Sequence, residues 1–142
     1  MQIKYTAQGT ATKGGRGGGN AQTPDGKVSV HLSVPKEMGG DGGPGTNPEQ
    51  LFAVGYSACF LGAMHGAARK LGIALSNDAT VSAEISFADR EDNVGFTIVA
   101  RLTGHVPDMD RAETEKLMQA AHDICPYSNL IRFAHSVELK AA

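Results

Sequence analysis

Cys59 and Cys125 are the only thiols in this chain of 142 residues, and they stand 66 positions apart. A thiol can act as nucleophile, redox centre or metal ligand, or serve as a small buried hydrophobe, and its surroundings decide which. Cys59 lies inside the apolar stretch Leu51 to Met64, where burial ordinarily raises a thiol pKa and leaves it inert. Cys125 is expected near the surface, at the end of a helix just before Pro126, with Pro126 to Leu130 able to start another turn. A thiol at such a helix start is favoured as thiolate by the local dipole. In a reducing compartment a pairing of the two would belong to a redox cycle rather than to a structural staple.

Two charged residues stand out beside the thiols. Arg16 is the only charge in the glycine loop Gly14 to Gly19, where a freely bending backbone can bring a guanidinium close to another group or leave it solvated at a loop tip. Glu49 sits in the first turn of a predicted helix, where a carboxylate is favourable through the macrodipole alone. It can also hold Arg16 by a two-pronged contact, which suits the planar fork of arginine and not lysine. Around Cys59 the side chains Phe52, Tyr56, Phe60 and Met64 are either plain core or an apolar wall that favours an organic tail.

The elements that must position these groups read clearly in places. Ile3 to Thr12 is expected as a strand, followed by a hairpin in which Asp25-Gly26 joins Ala21–Thr23 to Val28, Val30, Leu32 and Val34. Eleven of the 18 glycines fall between Gly14 and Gly45, in two flexible loops. Asn47 as N-cap, Pro48 at the first helical position and Gln50 three after the cap predict a helix that runs to about Leu71 and stops at Gly72. Its apolar stretch offers no face made for water, so burial on all sides is expected. Alternation from Thr80 to Phe87 and from Phe96 to Leu102 predicts two strands joined at Asp92-Asn93. Asp110 with Glu113 opens a second helix, with Leu117, Met118, Ala121 and Ile124 on one side, that ends before Pro126. Val137 and Leu139 suggest a last strand. The order βββ-α-ββ-α-β implies one α+β domain over residues 1–142, with mostly antiparallel pairing around a central helix.

Several function classes are disfavoured. A formal net charge of -2 without a run of Lys or Arg gives no footprint for nucleic acid or an anionic membrane. The N-terminus lacks the apolar core of a signal peptide, and the run Leu51 to Met64 is short for a bilayer span, so an intracellular, cytoplasmic protein is expected. His122 and Cys125, three apart, lack the two further ligands a zinc site needs. A Cys-His acyl transferase would need an oxyanion hole that the sequence does not reveal. The glycine loop lacks the Lys-Ser/Thr ending of a phosphate-binding loop.

Taken together, Gly14-Gly15-Arg16, Asn47-Pro48-Glu49-Gln50-Leu51-Phe52-Ala53, Gly55-Tyr56-Ser57-Ala58-Cys59-Phe60 and Cys125-Pro126-Tyr127-Ser128-Asn129 closely resemble the organic hydroperoxide resistance (Ohr) family of the OsmC-like superfamily. The order of these segments covers essentially the whole chain. The resemblance implies an OsmC-like fold in an intertwined homodimer and a peroxidase that prefers alkyl and fatty-acid hydroperoxides. It also implies residue roles: Cys59 attacks the peroxide, Arg16 activates its thiolate, Glu49 orients Arg16, and Cys125 closes an intramolecular disulfide. Phe52, Tyr56, Phe60, Met64 and Tyr127 would line the substrate pocket. Recycling by lipoylated proteins is implied, with no metal, haem or flavin. The chain departs from the family at Gly17, where Asn or Asp is common, and at Leu130-Ile131-Arg132-Phe133, which replaces a more polar stretch. A broader OsmC-type peroxidase and a non-enzymatic thiol redox sensor are the alternatives.

Overall fold

The computed structural model describes residues 2–133 and 137–141. The chain forms two compact units, Met1–Leu51 and Phe52–Ala142.

In the first unit, β1 (Thr10–Thr12), β2 (Asn20–Gln22) and β3 (Ser29–His31) make an antiparallel sheet in that order, with Ala21 paired to Ala11 on one side and Val30 on the other. The expected hairpin is present. Its turn is closed by the Thr23 backbone N–H on the Val28 carbonyl at 2.8 Å, and the Asp25 carboxylate accepts from the Thr23 hydroxyl at 2.6 Å. The first strand is far shorter than expected, because its register with β2 covers only Thr10 to Thr12 and residues 2–9 lie exposed. A short 3-10 turn, Gly15–Gly17, lies in the first glycine loop, and a second, Lys36–Met38, leads into the other, which starts at Gly39.

Helix α1 (Pro48–Leu71) starts in the first unit and continues through the second. Its predicted cap is in place: Asn47 Oδ1 accepts the Gln50 N–H at 2.8 Å. Gly72, at φ 69°, ends it as expected. Burial on all sides is not observed. Tyr56, Phe60, Ala63, Met64, Ala67 and Ala68 are enclosed, whereas Val54 is 70% exposed and Ala58 and Gly62 are exposed too. With 24 residues, α1 also has the length and composition to cross a bilayer, a property the shorter run Leu51 to Met64 concealed. Its enclosed face packs into the second unit's own core with Val106, Leu117, Ala121 and Cys125.

The second unit adds β4 (Thr80–Asp89) and β5 (Phe96–His105), an antiparallel ribbon paired from Thr80↔His105 to Asp89↔Phe96. Then come α2 (Arg111–Ile124) and α3 (Pro126–Arg132). Asp110 caps α2 by accepting the Glu113 N–H at 2.8 Å, as its sequence predicts. The expected last strand is absent among the described residues: 137–141 carry no strand, and Val137 and Leu139 are 80% and 91% exposed. Alternating apolar residues make a strand only where the segment pairs with a neighbour, and 137–141 pair with none of the described strands. Instead Pro126 at the first helical position starts α3, so the observed order ends in two helices within an α+β architecture of antiparallel sheets.

Candidate active site

In the first unit the backbone of one loop aims Arg16. Lys13, Gly14, Gly15 and Gly18 all take left-handed φ values, 52°, 88°, 54° and 118°, which cost little only for glycine. A side chain at Gly19 would place its Cβ 1.9 Å from the Thr12 carbonyl oxygen. Gly17 has open space around it, and a Cβ there would meet no neighbour. The loop sets Arg16 Nη1 2.8 Å from Glu49 Oε2 and Nη2 2.6 Å from Oε1, a parallel two-bond fork. These hydrogen bonds hold the Glu49 carboxyl below its usual range and raise the guanidinium further. Nη1 also points at Met38 Sδ, 4.0 Å away. Nothing in the sequence singled out Met38; a lone methionine beside a glycine-rich loop gives no periodic signal.

In the second unit Cys59 and Cys125 meet, although 66 positions separate them. Their Sγ atoms lie 3.6 Å apart, and both are free thiols. Forming a disulfide of about 2.05 Å needs an approach of roughly 1.6 Å. Cys125 serves as both the C-cap of α2 and the N-cap of α3. The expectation that it lies near the surface is corrected: it is 0% exposed, because α1 covers the corner where α2 stops at Pro126. Cys59, on the apolar helix, is the half-buried and more accessible thiol. Burial pushes its pKa up, the Tyr127 backbone N–H pulls the other way, and Cys125 adds to the rise. Without a cation, Cys59 is therefore held as a thiol.

Hydrogen bonds and a ring stack lock this corner. Tyr56 Oη and Ser128 Oγ share a hydrogen bond of 2.9 Å, and both residues are buried. Arg132 donates to Asp123 Oδ1 at 3.1 Å and to the His122 carbonyl at 3.1 Å, tying α3 back to the end of α2. Tyr127 stacks on Phe52 with ring centroids 5.6 Å apart. A Cβ at Gly55 would lie 3.0 Å from the Tyr127 hydroxyl, so the missing side chain there admits this ring. Of the expected pocket residues, Phe52 and Tyr127 are half-buried. Tyr56 and Phe60 line a cleft of about 1020 Å³ with Leu102, Met109 and Met118. Met64 is completely enclosed in the core.

These elements match a known class. The sequence model of the OsmC-like protein family fits residues 39–140. Among curated relatives, the organic hydroperoxide resistance protein of Xanthomonas axonopodis pv. citri is 44% identical, over 99% of this chain and 96% of its own length. An uncharacterized protein of Acinetobacter baylyi is 50% identical over 92% of this chain and 88% of its own. The crystal structure of the organic hydroperoxide resistance protein OhrB of Bacillus subtilis superposes with a TM-score of 0.82 at 37% identity, covering 93% of this chain and 94% of that one. The chain belongs to the organic hydroperoxide resistance (Ohr) family within the OsmC-like superfamily.

Proposed function

We propose that this protein is a thiol peroxidase that reduces organic hydroperoxides to alcohols. The observation that carries the reading is the reduced pair Cys59 and Cys125 at 3.6 Å, with the accessible thiol on α1 and the buried one behind it. The names of the relatives support organic hydroperoxides as the substrate class.

In this mechanism Cys59 attacks the distal peroxide oxygen as thiolate. The O–O bond breaks, the alkoxide leaves and takes up a proton, and Cys59 becomes a sulfenic acid. The Cys125 sulfur then attacks Cys59 Sγ and expels water, leaving a disulfide. An external dithiol, a lipoyl group in the family pattern, restores both thiols, and no metal, haem or flavin takes part. Because burial holds Cys59 protonated, the cycle needs a cation, and Arg16, oriented by Glu49, is the group we assign to it. The same guanidinium would stabilise the developing alkoxide. The chain acts as a homodimer in the cytoplasm. The bare Val54 on α1 and Phe96, Ile98 and Val99 on β5 are surfaces that a second copy would cover.

The test is steady-state consumption of an alkyl hydroperoxide against hydrogen peroxide, with dihydrolipoamide as reductant. Multiple turnovers with a preference for the alkyl substrate are expected. A single round of oxidation without turnover would instead mark a redox sensor.

A further inference from the structure

The thioether of Met38 lies 4.0 Å from Arg16 Nη1, the same nitrogen that donates to Glu49 Oε2 at 2.8 Å. Each guanidinium nitrogen of this kind carries two hydrogens. The contacts on Nη1 use both: a strong charge-assisted bond to the carboxylate and a weak one to sulfur. Met38 is half-buried at the end of a short 3-10 turn, so a small oxidant can reach it, whereas Met64 is fully enclosed.

We propose that Met38 is an oxidation site whose sulfoxide restrains Arg16 and thereby brakes the peroxidase. The effect on Cys59 rests on the function proposed above; the chemistry at Met38 does not. In the step, a lone pair of Sδ attacks the distal oxygen of a hydroperoxide. The S–O bond forms, the O–O bond breaks, and the departing alkoxide takes the peroxide proton to leave as alcohol. Sulfur loses two electrons and the peroxide gains them. The adjacent guanidinium favours this reaction at Met38 because it stabilises the negative charge that develops on the leaving oxygen.

The product changes what Arg16 is bound to. A thioether is a weak acceptor, whereas a sulfoxide oxygen is a polar one. Placed between Sδ and Nη1, it falls within N–H···O range. The guanidinium is then held from two sides by oxygen acceptors, Glu49 and the sulfoxide, and is less free to meet a thiolate. Cys59 should lose stabilisation of its charged form, and the rate should drop by about tenfold, the worth of one charge-assisted hydrogen bond. Dithiols that reopen a disulfide do not reduce a sulfoxide, so the brake would outlast the catalytic cycle until a methionine sulfoxide reductase removes it.

The experiment uses the full-length protein with Cys59 and Cys125 first joined as a disulfide, which protects both from over-oxidation. It is treated with tert-butyl hydroperoxide and then reduced with dithiothreitol. Peptide mass spectrometry maps sulfoxide at Met38, Met64, Met109 and Met118. Cys59 alkylation by a neutral reagent is followed against pH, and the rate with cumene hydroperoxide is compared with that of the same protein before treatment. Preferential oxidation of Met38, a Cys59 alkylation profile moved to higher pH, an approximately tenfold rate loss and recovery with methionine sulfoxide reductase are expected. Met38→Leu, each sample compared with itself, should show no such change. Full oxidation of Met38 with an unmoved alkylation profile overturns the proposal, as does oxidation of Met109 and Met118 ahead of Met38. Absence of any turnover in untreated protein would sink the proposed function instead, while sulfoxide mapping and alkylation would still judge Met38.

Discussion

The two units solve opposite positioning problems. In the first, a charged side chain is aimed by backbone: four consecutive or near-consecutive left-handed residues around Arg16 bend the chain so that its fork meets Glu49 squarely. In the second, two free thiols are brought together by packing: helix ends, a proline stop and a buried hydroxyl pair place Cys125 behind Cys59. The difference shows where each part is vulnerable. The arginine loop should fail by losing geometry while the core stays intact. The thiol corner should fail by leaving buried polar groups unsatisfied.

The largest effects belong to the thiols, and they separate the two roles. Cys59→Ser should reduce peroxide consumption to background. Cys125→Ser should still react once and then stall or climb to sulfinic acid, since no thiol remains to capture the sulfenic acid. Mass spectrometry after one equivalent of hydroperoxide reads this directly. A Cys59→Ser protein that reacts once while Cys125→Ser does not would reverse the assignment.

Next in size is the arginine. Arg16→Ala should cost about 10²–10³ in rate, the scale for losing one preorganised charge stabiliser. It should also move Cys59 alkylation to higher pH. Arg16→Lys should be almost as damaging, because an ammonium keeps charge but loses the fork. A lysine variant with near wild-type rate and an unmoved alkylation profile would show that charge alone suffices, and the loop's geometry would lose its purpose.

A smaller effect should appear at the hydroxyl pair. Tyr56→Phe or Ser128→Ala each leaves one buried oxygen without its partner, a cost of about 1–3 kcal/mol. The double variant removes both groups and should lose less than the sum. Urea unfolding of the four proteins gives the coupling; strict additivity would mean that the 2.9 Å bond does not support the corner.

Much of this was legible in sequence where the deciding interactions are local. Asn47 with Gln50, Asp110 with Glu113, Gly72 and Pro126 act within a turn of themselves, and the helices they delimit begin and end as predicted. What the sequence hid depends on distant partners. Tyr56 and Ser128 are 72 positions apart, and neither residue type alone marks a bond. The sequence orders the exposures of the two cysteines wrongly, since a cysteine at a helix end beside a proline reads as a surface position. Only packing shows that α1 closes over it. Val137 and Leu139 misled for a related reason: an alternating apolar pattern carries no information about which strand, if any, the segment pairs with.

The smallest expected effect lies with Glu49, and it tests whether the fork or the helix dipole holds this carboxylate down. Its pKa is depressed, first by the hydrogen bonds from Arg16. A depressed carboxylate contributes stability above its unfolded value of about 4.3, and that contribution is lost as pH falls through the folded pKa. Wild type should therefore be more stable than Glu49→Gln at neutral pH, with the gap closing in acid. Since the Arg16 side chain is 37% exposed, solvent screening limits the gap to about 1 kcal/mol or less. A carboxylate in the first turn of α1 would gain something from the helix alone, so the same pair of proteins is needed in an Arg16→Ala background. If the fork dominates, the pH-dependent gap should shrink to a few tenths of a kcal/mol there. A gap that persists undiminished would assign the depression to the helix terminus, and the first unit would then be holding Arg16 without Glu49 as its anchor.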